Sequence, residues 1–169
     1  MKLSLLKRNT RSLLKTNQSL RVNVPYKKAI TVGVIFSVED KQKHDLIKDF
    51  IKKLELDEKK VTVMSFLPKK KENYEFLFDF FSDNDLSFWG KITSSGASSF
   101  AETPFDFLFY VDTQPNDFIL NLIARSKAKC RIGKYYGGND DSYFELMIEN
   151  NGDTKSLIDS MYKYASVLR

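Results

Sequence analysis

The segment AITVGVIF, at residues 29–36, decides the fold of this chain. It is a continuous run of apolar and β-branched residues, which is typical of a strand buried on both faces of a parallel sheet. After it, apolar residues at i, i+4 spacing predict a charged helix over about 40–55, capped by Ser37 or Asp40. A second run, VTVMSF at 61–66, predicts another strand. These three elements make a βαβ unit, for which a parallel strand pair and a right-handed crossover are expected.

The C-terminal half continues this alternation of strands and helices. FDFLFYVD, at 105–112, is a second buried-strand pattern, and it ends in an acid. The elements predicted from there are strand 105–112, a helix opened by Pro115 and Asn116, short strands at 129–133 and 143–148, and a last helix capped by Asp153 and Thr154. Alternation of this kind predicts an α/β fold: a single three-layer, Rossmann-like domain with a mostly parallel sheet.

Residues 68–104 give a weaker pattern. The aromatic segment 74–81 is compatible with a strand or a helix, residues 86–92 with a further short strand, and the small residues at 94–99 with a loop. The order of the strands in this part of the sheet therefore stays open.

The net charge of +5 is divided unevenly along the chain. Residues 1–28 hold eight cationic side chains and no acid, and the first carboxylate is Glu39. Residues 29–169 hold 19 basic and 22 acidic side chains, a net charge of −3. We therefore divide the chain into a basic N-terminal arm, residues 1–28, and the α/β domain, residues 29–169. The cations of the N-terminal arm are Lys2, Lys7, Arg8, Arg11, Lys15, Arg21, Lys27 and Lys28.

The N-terminal arm is predicted to be partly helical. Leu6, Leu13 and Leu20 are seven residues apart and share one face of a helix predicted over about 3–16, and Pro25 closes the segment. Cations without a neighbouring carboxylate neutralise phosphates and release counterions, which favours binding to RNA or to a ribonucleoprotein such as the ribosome. Two alternatives stay open: binding to an anionic membrane surface through the leucines, and a solvated tail without a partner.

A second basic element lies in the domain itself, at residues 125–136. If this element is extended, its alternate cations share one face and two tyrosines follow, so that it could contact phosphates and stack on bases. The alternative is a helix end whose cations interact with the helix dipole, followed by an edge strand whose charges prevent aggregation. The candidate RNA-binding residues of this element are Arg125, Lys127, Lys129, Arg131, Lys134, Tyr135 and Tyr136.

No complete catalytic or nucleotide site is recognisable in the sequence. A dinucleotide site needs glycines in the turn after the first strand, but Gly33 lies inside that strand, and the turn at 37–40 carries two acids that would repel phosphate. Asp112 lies where α/β sheets place their sites and is a candidate general base, although no second group is identifiable to work with it. We favour the interpretation that Asp112 and Thr113 cap the following helix.

The chain contains one histidine and one cysteine. This composition excludes a disulfide framework and argues against a Cys/His zinc site within one chain, so no metal and no cofactor are expected. His44 is expected to be exposed, and Cys130 to be a small core residue, since no histidine is placed to activate it. No secretory signal or membrane-spanning run is recognisable, and we expect a cytoplasmic protein. The alternative is an organellar presequence, which the serine-rich, acid-free N-terminus resembles.

The chain resembles a small uncharacterised protein family of Bacteroidetes-type bacteria in two segments. These are SFWGK at 87–91 and the run from FDFLF to ARSKAKCRIGKYY at 105–136. This resemblance implies no activity. More distantly, FDFLFYVD followed by a helix and RIG is similar to the N-terminal, Rossmann-like half of heptosyltransferase-like glycosyltransferases, which implies a sugar or nucleotide site. The chain departs from that family at 38–40, where VED replaces a Gly-Asp turn, and 169 residues leave no room for the second Rossmann domain of those enzymes.

The sequence therefore favours a non-catalytic binding protein whose partner is RNA or a ribonucleoprotein. One alternative is a sugar- or nucleotide-binding domain, or the remnant of a glycosyltransferase-like enzyme. The other is a peripheral membrane adaptor. Neither the specific partner nor the oligomeric state follows from the sequence.

Overall fold

The structure, a computed structural model, describes residues 1–69, 78–138 and 143–169. Its strands are β1 (Thr31–Ser37), β2 (Lys60–Leu67), β3 (Asp79–Ser82), β4 (Phe107–Tyr110), β5 (Cys130–Lys134) and β6 (Leu146–Ile148). Its α-helices are α1 (Lys2–Thr16), α2 (Lys41–Leu56), α3 (Ser95–Glu102), α4 (Asp117–Arg125) and α5 (Thr154–Ser166).

The described strands form one sheet in the order β3-β2-β1-β4-β5-β6, and every pairing among them is parallel. Strand β1 lies in the centre, where Val34 is in register with Val63 of β2 on one side and with Phe109 of β4 on the other. The direction of winding reverses at β1, so β1 and β4 flank the switch point at which open α/β sheets bind ligands. The predicted α/β, Rossmann-like fold is confirmed.

Helices cover both faces of the sheet because β1 and β4 send alternate side chains into two apolar cores. Val34 and Phe109 belong to the core beneath α2 and α5. Ile35 and Leu108 belong to the opposite core, beneath α1, α3 and α4. Strands buried on both faces have no polar alternation, and this is why continuous apolar runs identified β1 and β4.

Helix α1 is packed into the second of these cores. Leu6 is fully buried there, and Thr10 and Leu14 are buried on the same face of the helix. Asn121 of α4, also buried, donates from Nδ2 to Thr10 Oγ1 at 3.0 Å. The predicted helix is confirmed, whereas the domain boundary at residue 28 stays a prediction. Within the part of the chain that the structure describes, no helix is long and apolar enough to cross a membrane.

The loop predicted at residues 94–99 is wrong, because most of this segment belongs to α3. Ser94 is the N-cap, and its Oγ accepts from the backbone N of Ala97 at 3.2 Å. Ala97 and Phe100 are buried. A segment of small residues has no marked helical periodicity, and tertiary burial of these two side chains together with the cap stabilises the helix.

The strand predicted at residues 86–92 is also wrong. This segment is a tight turn closed by an isolated antiparallel bridge between Leu86 and Ile92. The preceding aromatic segment, 74–81, ends in strand β3, while its residues 74–77 lie outside the described residues.

Candidate nucleic-acid interface

Asp112 lies just after β4, at the switch point of the sheet, and it does not cap α4. Its side chain is 2% exposed and accepts hydrogen bonds from the backbone N of Ser37 at 2.9 Å and from Ser37 Oγ at 2.7 Å. Lys43 of α2, 3% exposed, donates to Oδ1 of the same carboxylate at 2.5 Å. The prediction that Asp112 and Thr113 cap α4 is wrong, since the side chain of Asn116 forms the cap.

The Lys43–Asp112 ion pair therefore occupies the position at which open α/β sheets hold ligands. Lys43 also contacts Glu39, an exposed residue of the turn after β1, at 3.1 Å. A buried carboxylate that already accepts from three donors is not positioned to take a proton from a substrate. The sequence did not reveal this partner because Lys43 is 69 residues distant from Asp112. The geometry supports a structural role for the pair.

His44 is buried, so the expectation of an exposed side chain is wrong. Its ring packs against that of Phe78, with centroids 5.2 Å apart, and its Nε2 has no hydrogen-bond partner among the described residues. The reason is its place on the helix, three residues before Ile47 on the buried stripe of α2. In the described part of the chain, no three His, Cys, Asp or Glu side chains are grouped so that they could hold a metal ion.

Cys130, at the start of β5, is buried as predicted. Its burial, with a smaller contribution from Glu145, raises the pKa of the thiol to about 12. The thiolate is the reactive form of cysteine, so we expect the folded protein to resist a disulfide reagent such as dithionitrobenzoate in mildly alkaline buffer. In urea the single cysteine of the chain should react fully. Rapid, stoichiometric labelling of the folded protein would contradict this assignment.

The second basic element, residues 125–136, does not form the predicted basic face. Arg125 ends helix α4 and β5 begins only at Cys130, so the segment between them is not an extended strand on which cations could alternate. The charged edge strand of the alternative interpretation is also wrong. Strand β5 is an interior strand that pairs with both β4 and β6.

Most cations of this element make contacts within the fold. Arg131 is 3% exposed and forms a bidentate pair with Glu145, from Nε to Oε1 at 2.9 Å and from Nη2 to Oε2 at 2.8 Å. A guanidinium held in this way is not available to a phosphate. The other contacts are Lys127 with Glu102 at 2.5 Å, Lys129 with Asp106 at 2.8 Å, Lys134 Nζ with the carbonyl of Thr113 at 3.0 Å, and the hydroxyl of Tyr136 with the carbonyl of Asp112 at 2.7 Å. Tyr135 is exposed.

The cations of the N-terminal arm fall into two groups. Arg21 donates from Nη1 to the carbonyls of Ser126 and Ala128 at 2.7 and 2.6 Å, and burial is the main cause that lowers its pKa to about 10. Lys7 contacts Asp117 at 3.5 Å on the surface. The remaining cations of the arm are exposed: Lys2, Arg8, Arg11, Lys15, Lys27 and Lys28.

Three of these exposed cations share one face of α1. Arg8, Arg11 and Lys15 are separated by three and four residues, which places them together on the helix surface that faces away from buried Leu6 and Leu14. Among the described residues, none of the three cations has an acidic partner at salt-bridge distance. Within the described part of the chain, their charge is therefore uncompensated.

The turn at residues 86–92 packs directly on the first half of α1. Gly90 has a φ of +72° and approaches the helix so closely that a Cβ there would lie 2.6 Å from Leu5 Cβ and from the backbone N of Leu6. Asn9 of α1 donates from Nδ2 to the carbonyl of Gly90 at 3.1 Å. A side chain at position 90 would be strained both by its backbone conformation and by contact with the helix.

This turn holds two aromatic side chains in solvent beside α1. Phe88 is 54% exposed and Trp89 is 70% exposed, and their rings meet edge to face with centroids 5.3 Å apart. We call the three cations described above and these two rings together the α1–turn surface; its members are Arg8, Arg11, Lys15, Phe88 and Trp89. Cations that contact phosphates and rings on which bases stack are the two components of sites for single-stranded nucleic acid.

Sequence reasoning identified the cations of this surface and missed its aromatic residues. The strand predicted at 86–92 would have turned alternate side chains inward, whereas the tight turn turns Phe88 and Trp89 outward. The signal that could have revealed the turn is Gly90, because glycine is the residue that adopts positive φ at no steric cost.

Comparison with protein-family models finds a match to a family described as being of unknown function, over residues 2–168. The matched region takes in α1 as well as the sheet and α5. Neither the curated proteins nor the solved structures contain a significant match to the chain.

Proposed function

The chain belongs to DUF6913, a family of unknown function, and we propose that it is a non-catalytic, cytoplasmic domain that binds RNA, either free or within a ribonucleoprotein such as the ribosome. The observation that carries the proposal is the α1–turn surface: helix α1 exposes cations without acidic partners among the described residues, and the turn that packs on the same helix exposes two aromatic rings. The match over residues 2–168 supports it in one respect: α1 falls within the region that the family model matches instead of preceding it.

The cations supply the sequence-independent part of the affinity. A protein that neutralises phosphates releases their condensed counterions, so the logarithm of the affinity for a single strand falls with the logarithm of salt concentration, with a slope of about −0.7 per phosphate contact. Arg8, Arg11 and Lys15 would account for about −2 of that slope. The body of the protein, residues 29–169, carries a net negative charge and would not attract RNA over its whole surface.

The aromatic rings supply a preference for unpaired bases. Stacking of a base on an exposed aromatic ring contributes about 1–3 kcal/mol, and only an unstacked base can adopt this arrangement. Phe88 and Trp89 would therefore direct the surface to loops, ends or other single-stranded segments of a structured RNA.

We expect the triple variant Arg8→Gln, Arg11→Gln, Lys15→Gln to bind a single-stranded RNA oligonucleotide much more weakly than the natural protein at low salt. The slope of log affinity against log salt should become less steep by about 2, because three phosphate contacts are lost. Fluorescence anisotropy of a labelled oligonucleotide over a series of salt concentrations measures both effects. Substitution is preferable to deletion of residues 1–28, because deletion would remove Leu6, Leu14 and Tyr26 from the core.

The matched control is the triple variant Lys41→Gln, Lys52→Gln, Lys155→Gln. These lysines are exposed on α2 and α5, which cover the opposite face of the sheet, so the control removes the same charge from another surface. If both triple variants lose affinity equally, binding follows net charge and the assignment to the α1–turn surface is wrong. If only anionic vesicles bind, in a flotation assay with and without phosphatidylserine, the partner is a membrane and the RNA proposal is wrong.

A second test addresses the ribonucleoprotein. In a sucrose gradient of cell lysate at low salt, the natural protein should sediment with ribosomal particles and should be released at high salt, and the α1 triple variant should stay at the top. Migration of the natural protein at the top under all conditions, together with no binding to the oligonucleotide, would overturn the proposed function.

A further inference from the structure

A cleft of about 360 Å³ lies next to the α1–turn surface, between α1, the turn at 86–92 and α4. Its wall includes two cations, Lys91 and Arg125, together with the amides of Asn9 and Asn121 and the hydroxyl of Ser12. Among the described residues, no carboxylate lines it. A volume of this size falls within the range of about 300–1,000 Å³ that is usual for small-molecule sites.

The walls of the cleft are fixed by contacts within the fold. Asn121 donates to Thr10 Oγ1 at 3.0 Å, and Asn17, at the end of α1, donates from Nδ2 to the carbonyl of Ala124 at 3.0 Å. The third wall, the turn, is held by the bond from Asn9 to the carbonyl of Gly90. A ligand would therefore enter a cleft that is already formed, which lowers the conformational cost of binding.

The cations of the cleft are available to an anion. Arg125 is partly buried and donates from Nη2 to Ser98 Oγ at 3.2 Å, while the side chain of Lys91 is exposed. Neither has a carboxylate partner at salt-bridge distance among the described residues. A guanidinium, an ammonium group and a hydroxyl, with no carboxylate beside them among the described residues, are donors that recognise a phosphate group.

The position of Trp89 extends this chemistry from phosphate to nucleotide. Gly90 lines the cleft, and the preceding residue, Trp89, is the more exposed of the two aromatic side chains in the turn. We infer that the cleft binds the phosphate of one unpaired nucleotide whose base stacks on Trp89. This inference rests on the proposed function, because that nucleotide would belong to the bound RNA. Lys91 and Arg125 are the phosphate-binding residues of this site.

Trp89 also provides the measurement, because it is the single tryptophan of the chain. Tryptophan fluorescence is titrated with a short oligouridylate, with adenosine monophosphate and with inorganic phosphate. The oligonucleotide should quench the emission saturably, and the mononucleotide should do so at higher concentration. Lys91→Gln and Arg125→Gln should each weaken binding by about tenfold, the usual effect of one lost hydrogen bond to a charged group.

The control is Lys127→Gln, which removes an exposed cation near Arg125 that pairs with Glu102 and does not line the cleft. It should bind as the natural protein does. Because Arg125→Gln also removes a hydrogen bond to Ser98, its melting temperature is measured alongside, and Lys91→Gln tests the site without touching a buried group.

The possible outcomes distinguish failure of the cleft inference from failure of the proposed function. If the oligonucleotide binds by anisotropy, but the emission of Trp89 is unchanged and both glutamine variants bind normally, the cleft inference is overturned and the proposed function stands. If the oligonucleotide fails to bind but adenosine monophosphate quenches Trp89 in a manner that depends on Lys91, the nucleotide site is supported and the RNA function is overturned. If adenosine monophosphate displaces the labelled oligonucleotide in the anisotropy assay, in a manner that depends on Lys91, but leaves the emission of Trp89 unchanged, stacking on Trp89 is overturned. If no ligand binds, both proposals fail.

Discussion

Replacing Lys43 with methionine should lower the free energy of unfolding by about 3–5 kcal/mol. The substitution leaves Asp112 as a buried carboxylate whose remaining donors are the backbone N and the hydroxyl of Ser37. Methionine has a length similar to that of lysine, so loss of packing is small and loss of the charge partner dominates. At about 2–4 °C per kcal/mol for a chain of this size, the melting temperature should fall by at least about 6 °C.

Urea unfolding followed by circular dichroism measures this effect, and a double-mutant cycle identifies its cause. The double variant Lys43→Met, Asp112→Asn should recover much of the lost stability, because asparagine is neutral and still accepts from Ser37. Lys155→Met is the surface control. It breaks an exposed pair with Asp159 and should change stability little. If Lys43→Met is as stable as the natural protein, the pair is not buried in solution.

The same experiment bears on the glycosyltransferase-like alternative. A ligand site at the switch point requires Asp112 to be open to solvent, and an open carboxylate would tolerate the loss of Lys43. A large loss of stability that the double variant repairs would instead identify the pair as a structural element. In that case the place where open α/β sheets hold ligands is filled by the protein's own side chains, and any ligand must bind elsewhere.

The central strands of the sheet were predictable because the pattern that identifies each of them lies within one short segment. The runs at 29–36 and 105–112 are apolar throughout, since strands buried on both faces need no polar side, and they became β1 and β4. Helix α3 lacked such a signal, because its Ser and Gly residues have weak helical preference and its burial depends on the sheet beneath it. His44 was misassigned from its charged neighbours, although its spacing to Ile47 places it on the buried stripe.

The candidate site was predictable only in its charges. The cations of α1 stand out in the sequence because no acid accompanies them, but pairing partners such as Glu145 for Arg131 depend on the pairing of β5 with β6, which the sequence did not predict. The position of Trp89 beside α1 depends on a contact between segments 80 residues or more apart, such as that of Asn9 with Trp89. The density of charge can be counted from the sequence, whereas the pairing of each charge with an opposite one depends on the fold.

The second large effect is expected in α1. Leu6→Ala should lower the free energy of unfolding by about 2–5 kcal/mol, since Leu6 is fully buried and its truncation leaves a cavity beside α4. The measurement is again urea unfolding, with the loss of near-ultraviolet signal from buried aromatic residues as a second probe. Coincidence of the two transitions would show that α1 unfolds together with the sheet.

Leu3→Ala is the matched control, because Leu3 lies one turn earlier on the same helix and is 49% exposed. This substitution should lower the free energy of unfolding much less than Leu6→Ala does. If Leu6→Ala is equally mild, α1 is a detachable arm, and the proposed RNA binding would be that of a flexible tail whose affinity does not depend on Trp89. If Leu6→Ala is severe, the helix holds Arg8, Arg11 and Lys15 in a fixed position relative to the turn. The proposed binding requires a fixed arrangement in which cations and rings contact one strand together, so the stability of α1 decides whether the α1–turn surface exists as a single site.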